Sequence, residues 1–333
     1  LKTILDSEGL QNIHADRQAW VNLTPSQTAF KDDPQRLPLD EFLKQRIQHY
    51  QQAHVNAEIA SLFVVSPNGD MLGIAFSPDE IRGRQSIGRY YGYRNYFHGG
   101  PRDLPQDIES RRISPISNTH LSRAFQSTTT NKWKIAITTP IYMPAKQADP
   151  TDPPNRGELI GIMAVTVNLG DFSSLKNDNL IDNQFAVFID GRAGSEIGEG
   201  QRRGTILQHP AMDELDSTPD KPFQLSAKQL RGLLQGQESL YTDPMGEATN
   251  IEKYRGKWIA VLQRVETPAA ANRERSNLRI LVQESYSQAT LPIRELGRKL
   301  ILEGIFAAAV ILIVVSALWF FVIRKFSQPI GKT

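Results

Sequence analysis

The chain of 333 residues contains no cysteine. This excludes disulfides, thiolate zinc sites and a cysteine nucleophile, and it fits either a cytoplasmic protein or an extracytoplasmic one that folds without staples. Net charge is also scarce: 38 Lys and Arg stand against 36 Asp and Glu, interspersed throughout, for a formal +2. Nucleic-acid surfaces gather basic side chains into a stripe, so no nucleic-acid partner is expected. Histidines number six, and the one close pair, His49 and His54, is spaced i, i+5, which puts the rings on different helix faces rather than around one metal. No metal and no cofactor are expected, and the histidines read as surface or satisfied structural residues.

Catalytic signatures are present only in part. The "HGG" at 98–100 is similar to a lipase oxyanion loop, but the nucleophile elbow G-x-S-x-G is missing, since "GRQSIG" at 83–88 places one residue too many before Ser86. A membrane-anchored hydrolase using His98 and Ser86 is therefore the weaker alternative. The "GKT" at 331–333 lacks the glycine of a phosphate loop five positions before Gly331, where Phe326 stands. Carboxylates such as Asp79, Glu80, Asp103, Asp107, Glu109, Asp190, Asp213 and Glu214 are scattered without an acid–base pair and read mostly as solvated surface.

What the chain does have is one long apolar run, "GIFAAAVILIVVSALWFFVI" at 304–323, uncharged, bracketed by Glu303 and by Arg324 and Lys325, with Trp319 near one end. Length and composition predict a transmembrane helix. Charge does not orient it, because Arg294, Arg298 and Lys299 on one side balance Arg324, Lys325 and Lys332 on the other. The chain opens on Leu1 with no export signal or first anchor, so an extracytoplasmic placement calls for such a segment upstream; the sequence reads as a fragment.

Ahead of that run the periodicity organises the chain. Leu39, Leu43, Ile47, Tyr50 and Ala57 recur at helical spacing, predicting a long amphipathic helix over 39–60 behind an N-terminal segment. "SLFVVSPNGDMLGIAF" predicts a hairpin about Asn68 and Gly69 with both at positive φ. "HLSRAFQSTTT", "KWKIAITTPIYM" and "LIGIMAVTV" predict three more strands, the last preceded by the Pro- and Asp-rich loop 144–158. A second set follows: "QFAVFID", a helical "SAKQLRGLL", then strand-like "ESLYTDP", "NIEKY", "KWIAVLQRV" and "LRILVQE". Two α+β units in series are predicted, at 61–172 and 173–284, then a juxtamembrane helix at 285–303, the span at 304–323 and a short tail at 324–333.

One stretch concentrates chemistry. "GRYYGYRNYFHGG" at 88–100 holds four of the nine tyrosines, two arginines, a phenylalanine and a histidine. A guanidinium offers a planar fork of donors that fits a carboxylate, and aromatic walls strengthen the contact by excluding water. Arg94 with Tyr90, Tyr91, Tyr93, Tyr96 and Phe97 therefore suits a small anionic ligand, with Tyr91, Arg94, Tyr96 and Phe97 the candidate contacts. The same residues admit a plain core, with Arg94 paired to an internal acid.

"YRNYFHG" after a helix and a hairpin, "GIMAVTVNLGDF" closing the first unit, and "WIAVLQRV" with "LVQESYSQATLPIRELGRKL" before a membrane helix resemble the double Cache sensor domains of bacterial membrane receptors, over about residues 39 to 323. The resemblance implies a long helix carrying two PAS-like antiparallel-sheet subdomains outside the cytoplasm, a small molecule in the membrane-distal one, and a cytoplasmic output module. It also implies frequent homodimers. In members that grip an amino acid, an arginine, an aromatic two residues on and a following tyrosine hold the carboxylate, while an aspartate on the last strand holds the ammonium. Here Arg94 and Tyr96 match, Phe97 stands in place of the tyrosine, and Thr166 stands where the aspartate is expected. The carboxylate half of the grip is kept and the ammonium half lost, so the expected ligand is a carboxylate or other small anion. The run from 93 to 137 is similar to sensors of membrane-bound serine/threonine kinases, and "RKFSQPI" to the start of a HAMP linker. A third possibility is an interaction or dimerisation ectodomain without a ligand.

Overall fold

The structure, a computed structural model, describes residues 1–15, 24–53, 58–78, 80, 85–108, 113–143, 157–172, 175, 183–192, 204–215, 217–236, 240–265 and 277–326. Outside them lie the expected helix end at 54–57 with His54 and Ala57, Asp79, Gly83, Glu109, most of the loop 144–158, and the tail 327–333. The chain divides into two compact units, Leu1–Gln283 and Glu284–Thr333.

The start of the first unit is more helical than its sequence was read to be. Helices α1 (Lys2–Leu5), α2 (Glu8–Ala15) and α3 (Pro25–Lys31) precede the long helix. Thr24 starts α3 with a capping box: its Oγ accepts from Gln27 N at 3.2 Å while Gln27 Oε1 accepts from Thr24 N at 3.0 Å. The expected amphipathic helix is α4 (Leu37–Ala53), which begins earlier and ends sooner than 39–60, with Glu58–Ala60 already outside it. Leu39, Leu43 and Ile47 bury against Ile4, Leu10, Ile13 and Phe30 and against the first sheet.

That sheet contains β1 (Ser61–Val65), β2 (Met71–Phe76), β3 (His120–Leu121), β4 (Phe125–Gln126), β5 (Trp133–Tyr142) and β6 (Leu159–Asn168). Its order is β2-β1-β6-β5-β3, with β4 also on β5, and its pairs are antiparallel. β1 is buried along its whole length because both faces are covered. Leu62 and Val64 point to the helices, and Phe63 and Val65 to the aromatic segment. Gly73 on β2 lets α4 come close, since a Cβ there would sit 3.0 Å from Leu39. The β1–β2 turn differs from expectation: Gly69 alone takes a left-handed φ, +94°, while Ser66 Oγ accepts from Asn68 N and Asp70 N and so sets the turn without a left-handed asparagine. "HLSRAFQSTTT" yields only the two-residue β3 and β4. Ser122 Oγ takes the Ala136 N–H at 2.7 Å, and the ladder is interrupted there.

The second sheet, ordered β8-β7-β11-β10-β9, consists of β7 (Gln184–Asp190), β8 (Thr205–Gln208), β9 (Tyr241–Thr242), β10 (Lys257–Arg264) and β11 (Leu278–Ser285). β8 was not anticipated. "ESLYTDP" contracts to β9, and "NIEKY" is a 3-10 turn at Glu252–Tyr254, not a strand. The reason is local: Asp243 caps α7 (Pro244–Thr249) by accepting from Met245 N at 2.8 Å, and that helix ends on Asn250 at φ 59°. The expected helix is α6 (Ala227–Gln235), started by a second capping box at Ser226 and Gln229. Ile135, Phe188, Leu207 and Leu278 form an apolar cluster joining the two sheets.

In the other unit, α8 (Tyr286–Ala289) is followed by α9 (Leu291–Phe326), 36 residues with Pro292 in the first turn where no helical N–H is lost. The apolar run 304–323 lies wholly within α9 and none of it is buried in protein, unlike a soluble core helix. At a rise of about 1.5 Å per residue the helix exceeds the roughly 30 Å of a bilayer's hydrocarbon core. The architecture is thus α+β, with helices before two antiparallel sheets and a terminal apolar helix long enough to cross a membrane.

Candidate functional site

The aromatic segment covers the face of the first sheet opposite α4. It is pinned by backbone bonds to the hairpin: Met71 N donates to Arg89 O, Gly88 N to Met71 O and Tyr91 N to Gly69 O. Arg94 then caps the one-turn helix α5 (Asn95–His98), which ends on Gly99 at φ +71°. Tyr90, Tyr91, Tyr93, Tyr96 and Phe97 are all buried against Phe63, Val65, Met71, Ile162 and Ala164.

Beneath this layer lies a cavity of about 30 Å³. Tyr91, Arg94, Tyr96 and Thr166 line it; Phe97 does not, being 1% exposed and packed into the core. Strand alternation assembles the rest of the wall, because Ser61, Phe63, Lys134 and Thr166 share the face that looks at the aromatic segment. Among the described residues the lining contains two cations, Arg94 and Lys134, and the hydroxyls of Ser61, Ser86, Tyr91, Tyr96, Ser127, Thr128, Thr129 and Thr166, but no carboxylate.

Arg94 is 9% exposed and held from several sides. Nη1 donates to Asp103 Oδ2 at 2.7 Å, Nη2 donates to Gln126 O at 3.0 Å, and the guanidinium sits over the rings of Tyr93 and Phe125 at 5.0 and 5.4 Å. Its Nε–H is buried with no hydrogen-bond partner among the described residues. Burial opposes the charge, but Tyr93, Asp103 and Tyr96 outweigh it, so the guanidinium is held charged more firmly than usual. Burial pushes the Tyr93 and Tyr96 phenols up, keeping them neutral. Asp103, though its side chain is 33% exposed, is more than solvated surface: its Oδ1 also accepts from Asn95 N at 2.7 Å, so one carboxylate both caps α5 and positions Arg94.

Lys134 escaped the sequence reading, although a lysine on the inward side of "KWKIAI" was a visible irregularity. Its ammonium lies 3.1 Å from Glu80 Oε2, and Lys132 lies 3.2 Å from Glu80 Oε1, which also accepts from Asn168 Nδ2 at 2.5 Å. Glu80 is a second carboxylate read as surface, and it proves buried, at 7% exposure. Burial raises its pKa, but the Asn168 bond and the two lysines more than offset this and hold it below the ordinary value. For Lys134 burial dominates and depresses the pKa, with Glu80 restoring only part.

On the far wall Thr166 Oγ1 pairs with Ser61 Oγ at 2.6 Å. Tyr91 Oη bonds Ser86 Oγ at 3.1 Å and Thr128 Oγ1 at 3.0 Å, and Ser86 bonds Thr129. His98 is engaged elsewhere: Gly100 N donates to Nδ1 at 3.0 Å, which leaves Nε2–H to donate to Tyr93 O at 3.1 Å. Ser86 and His98 are thus not partners, and the hydrolase alternative has no base for its nucleophile.

No protein-family model matches the chain, and the search among curated proteins finds no relative. Among solved structures, the chain is similar to the ligand-binding domain of the Pseudomonas aeruginosa amino acid chemoreceptor PctB in complex with L-Arg (12% identity, 87% of this chain and 88% of that one, TM-score 0.40). It is also similar to the sensor domain of the V. cholerae histidine kinase DctB (14%, 85% and 95%, TM-score 0.39). A third is the ligand-binding domain of the Pseudomonas fluorescens chemoreceptor CtaA in complex with L-serine (13%, 86% and 94%, TM-score 0.38). At such TM-scores, what this chain binds has to come from its own side chains.

Proposed function

We propose that this chain is the sensing part of a transmembrane receptor and is not itself catalytic. In this reading the first unit's residues 61–172 bind a small anion of the carboxylate type in the cavity at Arg94, residues 173–284 relay the change, and α9 carries it across the membrane to a cytoplasmic output module. The observation that carries the reading is the lining of that cavity among the described residues: two cations, a set of hydroxyls, no acid, and a buried Arg94 Nε–H without a partner. A buried donor left unmade is costly, and an anion would satisfy it. At roughly 10–15 Å³ per water-sized group, the cavity takes two or three such groups, the size of formate. With Thr166 and Ser61 paired to each other and no carboxylate beside them, nothing in the lining matches an ammonium.

A route for the relay starts next to Arg94. Asn95 Oδ1 accepts from Arg123 N at 2.7 Å, and the Arg123 guanidinium approaches Asp190 of β7 at 3.4 Å. Arg192 pairs with the same Asp190 at 2.7 Å and donates to Leu121 O and Ser122 O of the first sheet. An anion that draws on Arg94 would shift Asp103 and α5, and through Asn95 the contacts at Asp190. The shift can be no larger than the anion's differential affinity for the two arrangements.

The competing reading is an interaction or homodimerisation ectodomain, favoured by the small cavity and by the Asp103 partner that Arg94 already has. The test is the melting temperature of the full chain in lipid nanodiscs, titrated with formate, acetate and larger carboxylates. Saturating anion should raise it by several degrees, as expected for roughly 2–3 kcal/mol of linkage at 100 Kd. Arg94→Ala should abolish the shift and Arg94→Lys should weaken it at least tenfold. A shift that survives both variants, or no shift with any anion, would leave the interaction reading standing.

A further inference from the structure

Trp133 on β5 and the segment just after β6 face the loop 212–223 of the second sheet's region across a cleft of about 270 Å³. It is far larger than the cavity at Arg94 and exceeds the roughly 150 Å³ hole that holds a benzene ring. Trp133, Leu169, Met212, Leu215 and Phe223 make its apolar walls. The loop is anchored, because Trp133 Nε1 donates to Pro219 O at 2.9 Å. The cleft is therefore bounded by both sheets' segments and does not depend on the proposed anion site.

Its polar lining combines the donors of Lys132, Ser217 and Thr218 with two groups rich in acceptors, Asn168 and Asp171. Asn168, 4% exposed, spends its amide on two carboxylates, Glu80 Oε1 at 2.5 Å and Asp171 Oδ2 at 2.7 Å. The carbonyl Oδ1 of Asn168 is buried with no donor among the described residues. The amide cannot be turned to cure this, since its oxygen would then face both carboxylates. Asp171 makes no direct ion pair among the described residues, the Lys134 charge acting on it only from a distance, and Lys132 is held by Glu80. The local charges of Lys132, Lys134, Glu80 and Asp171 balance, so an added ion of either sign would sit uncompensated in an apolar cleft.

We infer that this cleft is a second ligand site, taking an uncharged one- or two-ring aromatic molecule whose edge carries an N–H donor for Asp171, the carboxylate that Asn168 holds in place. The apolar walls bury the ring, and the Asp171 carboxylate rejects a ring without a donor, because binding it would leave that acceptor dry and short of a donor.

Indole and benzofuran form a matched pair, alike in shape and differing in the N–H. Ligand-observed saturation-transfer NMR on the full chain in nanodiscs, with the filled-cleft variant Leu215→Trp as the baseline for lipid partitioning, should show saturable indole binding at least tenfold tighter than benzofuran. Asp171→Asn should bring the two close to parity, while melting of both variants stays near that of the parent and so shows that they fold. Equal binding of indole and benzofuran to the parent chain would overturn the assignment. So would tighter binding of the cationic phenethylamine, or an indole signal that Leu215→Trp leaves intact.

Discussion

The two sheets bury polar residues in different surroundings. On the first, Arg94, Lys134 and a ring of hydroxyls surround a hole, and a donor is left over. On the second, the polar group of His209, Asp243 and Gln283 lies inside packed rings, with Gln283 Oε1 also left over among the described residues. His209 Nδ1 accepts from Ala211 N at 2.9 Å and its Nε2 bonds Asp243 Oδ2 at 3.0 Å, while Gln283 Nε2 donates to the same oxygen at 2.8 Å. Phe185 meets the rings of His209, Tyr254 and Trp258 edge-on at 5.1, 5.3 and 4.9 Å, so the space is filled. The difference lies in the space: a leftover donor beside a void can be met by a ligand, whereas the leftover Gln283 oxygen sits in filled aromatic packing, where the bonded groups hold elements together. Gln283 sits on β11, the strand that precedes Tyr286 and α9 in the chain, so its bond to Asp243 ties that strand into the network.

The contrast can be broken most severely at its closed end. Asp243→Ala removes the acceptor for His209, Gln283 and Met245 N at once and should cost about 3–5 kcal/mol, read by denaturant unfolding of the full chain. Asp243→Asn should recover part of it. A loss below about 1 kcal/mol would mean that the network is not what holds this sheet.

The next effect lies at the open end. Lys134→Met keeps the volume but removes a cation, and should cost about 2–3 kcal/mol, because buried Glu80 keeps only Lys132 and Asn168. The same variant should lose anion-induced melting shifts; a variant that binds anions as the parent does would remove Lys134 from the site.

Acid should separate the two ends more gently. Glu80 and Asp190 are both depressed below their ordinary values of 4.5 and 3.8, Glu80 by Asn168 and its lysines against the opposing effect of burial, Asp190 by Arg192 and Arg123 against the same effect. A depressed carboxylate stabilises the fold above its unfolded pKa, and that contribution disappears as pH falls through the folded one. Melting temperature should therefore hold from neutrality to about pH 5 and fall below the ordinary carboxylate range. Glu80→Gln should flatten that fall, and an unchanged acid limb would contradict the assignment.

The smallest effect concerns the connection. Arg123→Ala should cost only about 0.5–1 kcal/mol, its contact to Asp190 being long and partly solvated. Anion affinity should stay within twofold, yet anion-dependent changes in amide exchange on β7 and β11 should vanish. Their persistence would show that the sheets communicate through the apolar cluster of Ile135 and Phe188 instead.

Much of the scaffold was legible because it rests on local rules. Alternation in "SLFVV" and "LIGIMAVTV", the Leu39, Leu43, Ile47 stripe and the uncharged run in α9 each specify an element without help from distant residues. The helices before α4 were missed although "TPSQ" at 24–27 carries a capping-box signature, and "NIEKY" was misread because a helix capped by Asp243 reaches into it. Arg94, Tyr91 and Tyr96 stood out by density of type, and Thr166 only through the resemblance, as the residue where an aspartate was expected; Phe97 stood out equally but turned into the core.

By itself, then, the sequence determined the classes of element, the faces the strands present and the apolar length of the last helix, since periods of 2 and 3.6 and the absence of charge act over a few residues. Only the tertiary structure decided that Asp103 and Glu80 are ion-pair partners rather than mere surface, and that Ser61 and Thr166, 105 residues apart, share one wall with Lys134. The physical reason is that a charge is judged by its neighbours in space, and those neighbours come from separate strands whose register the whole sheet sets.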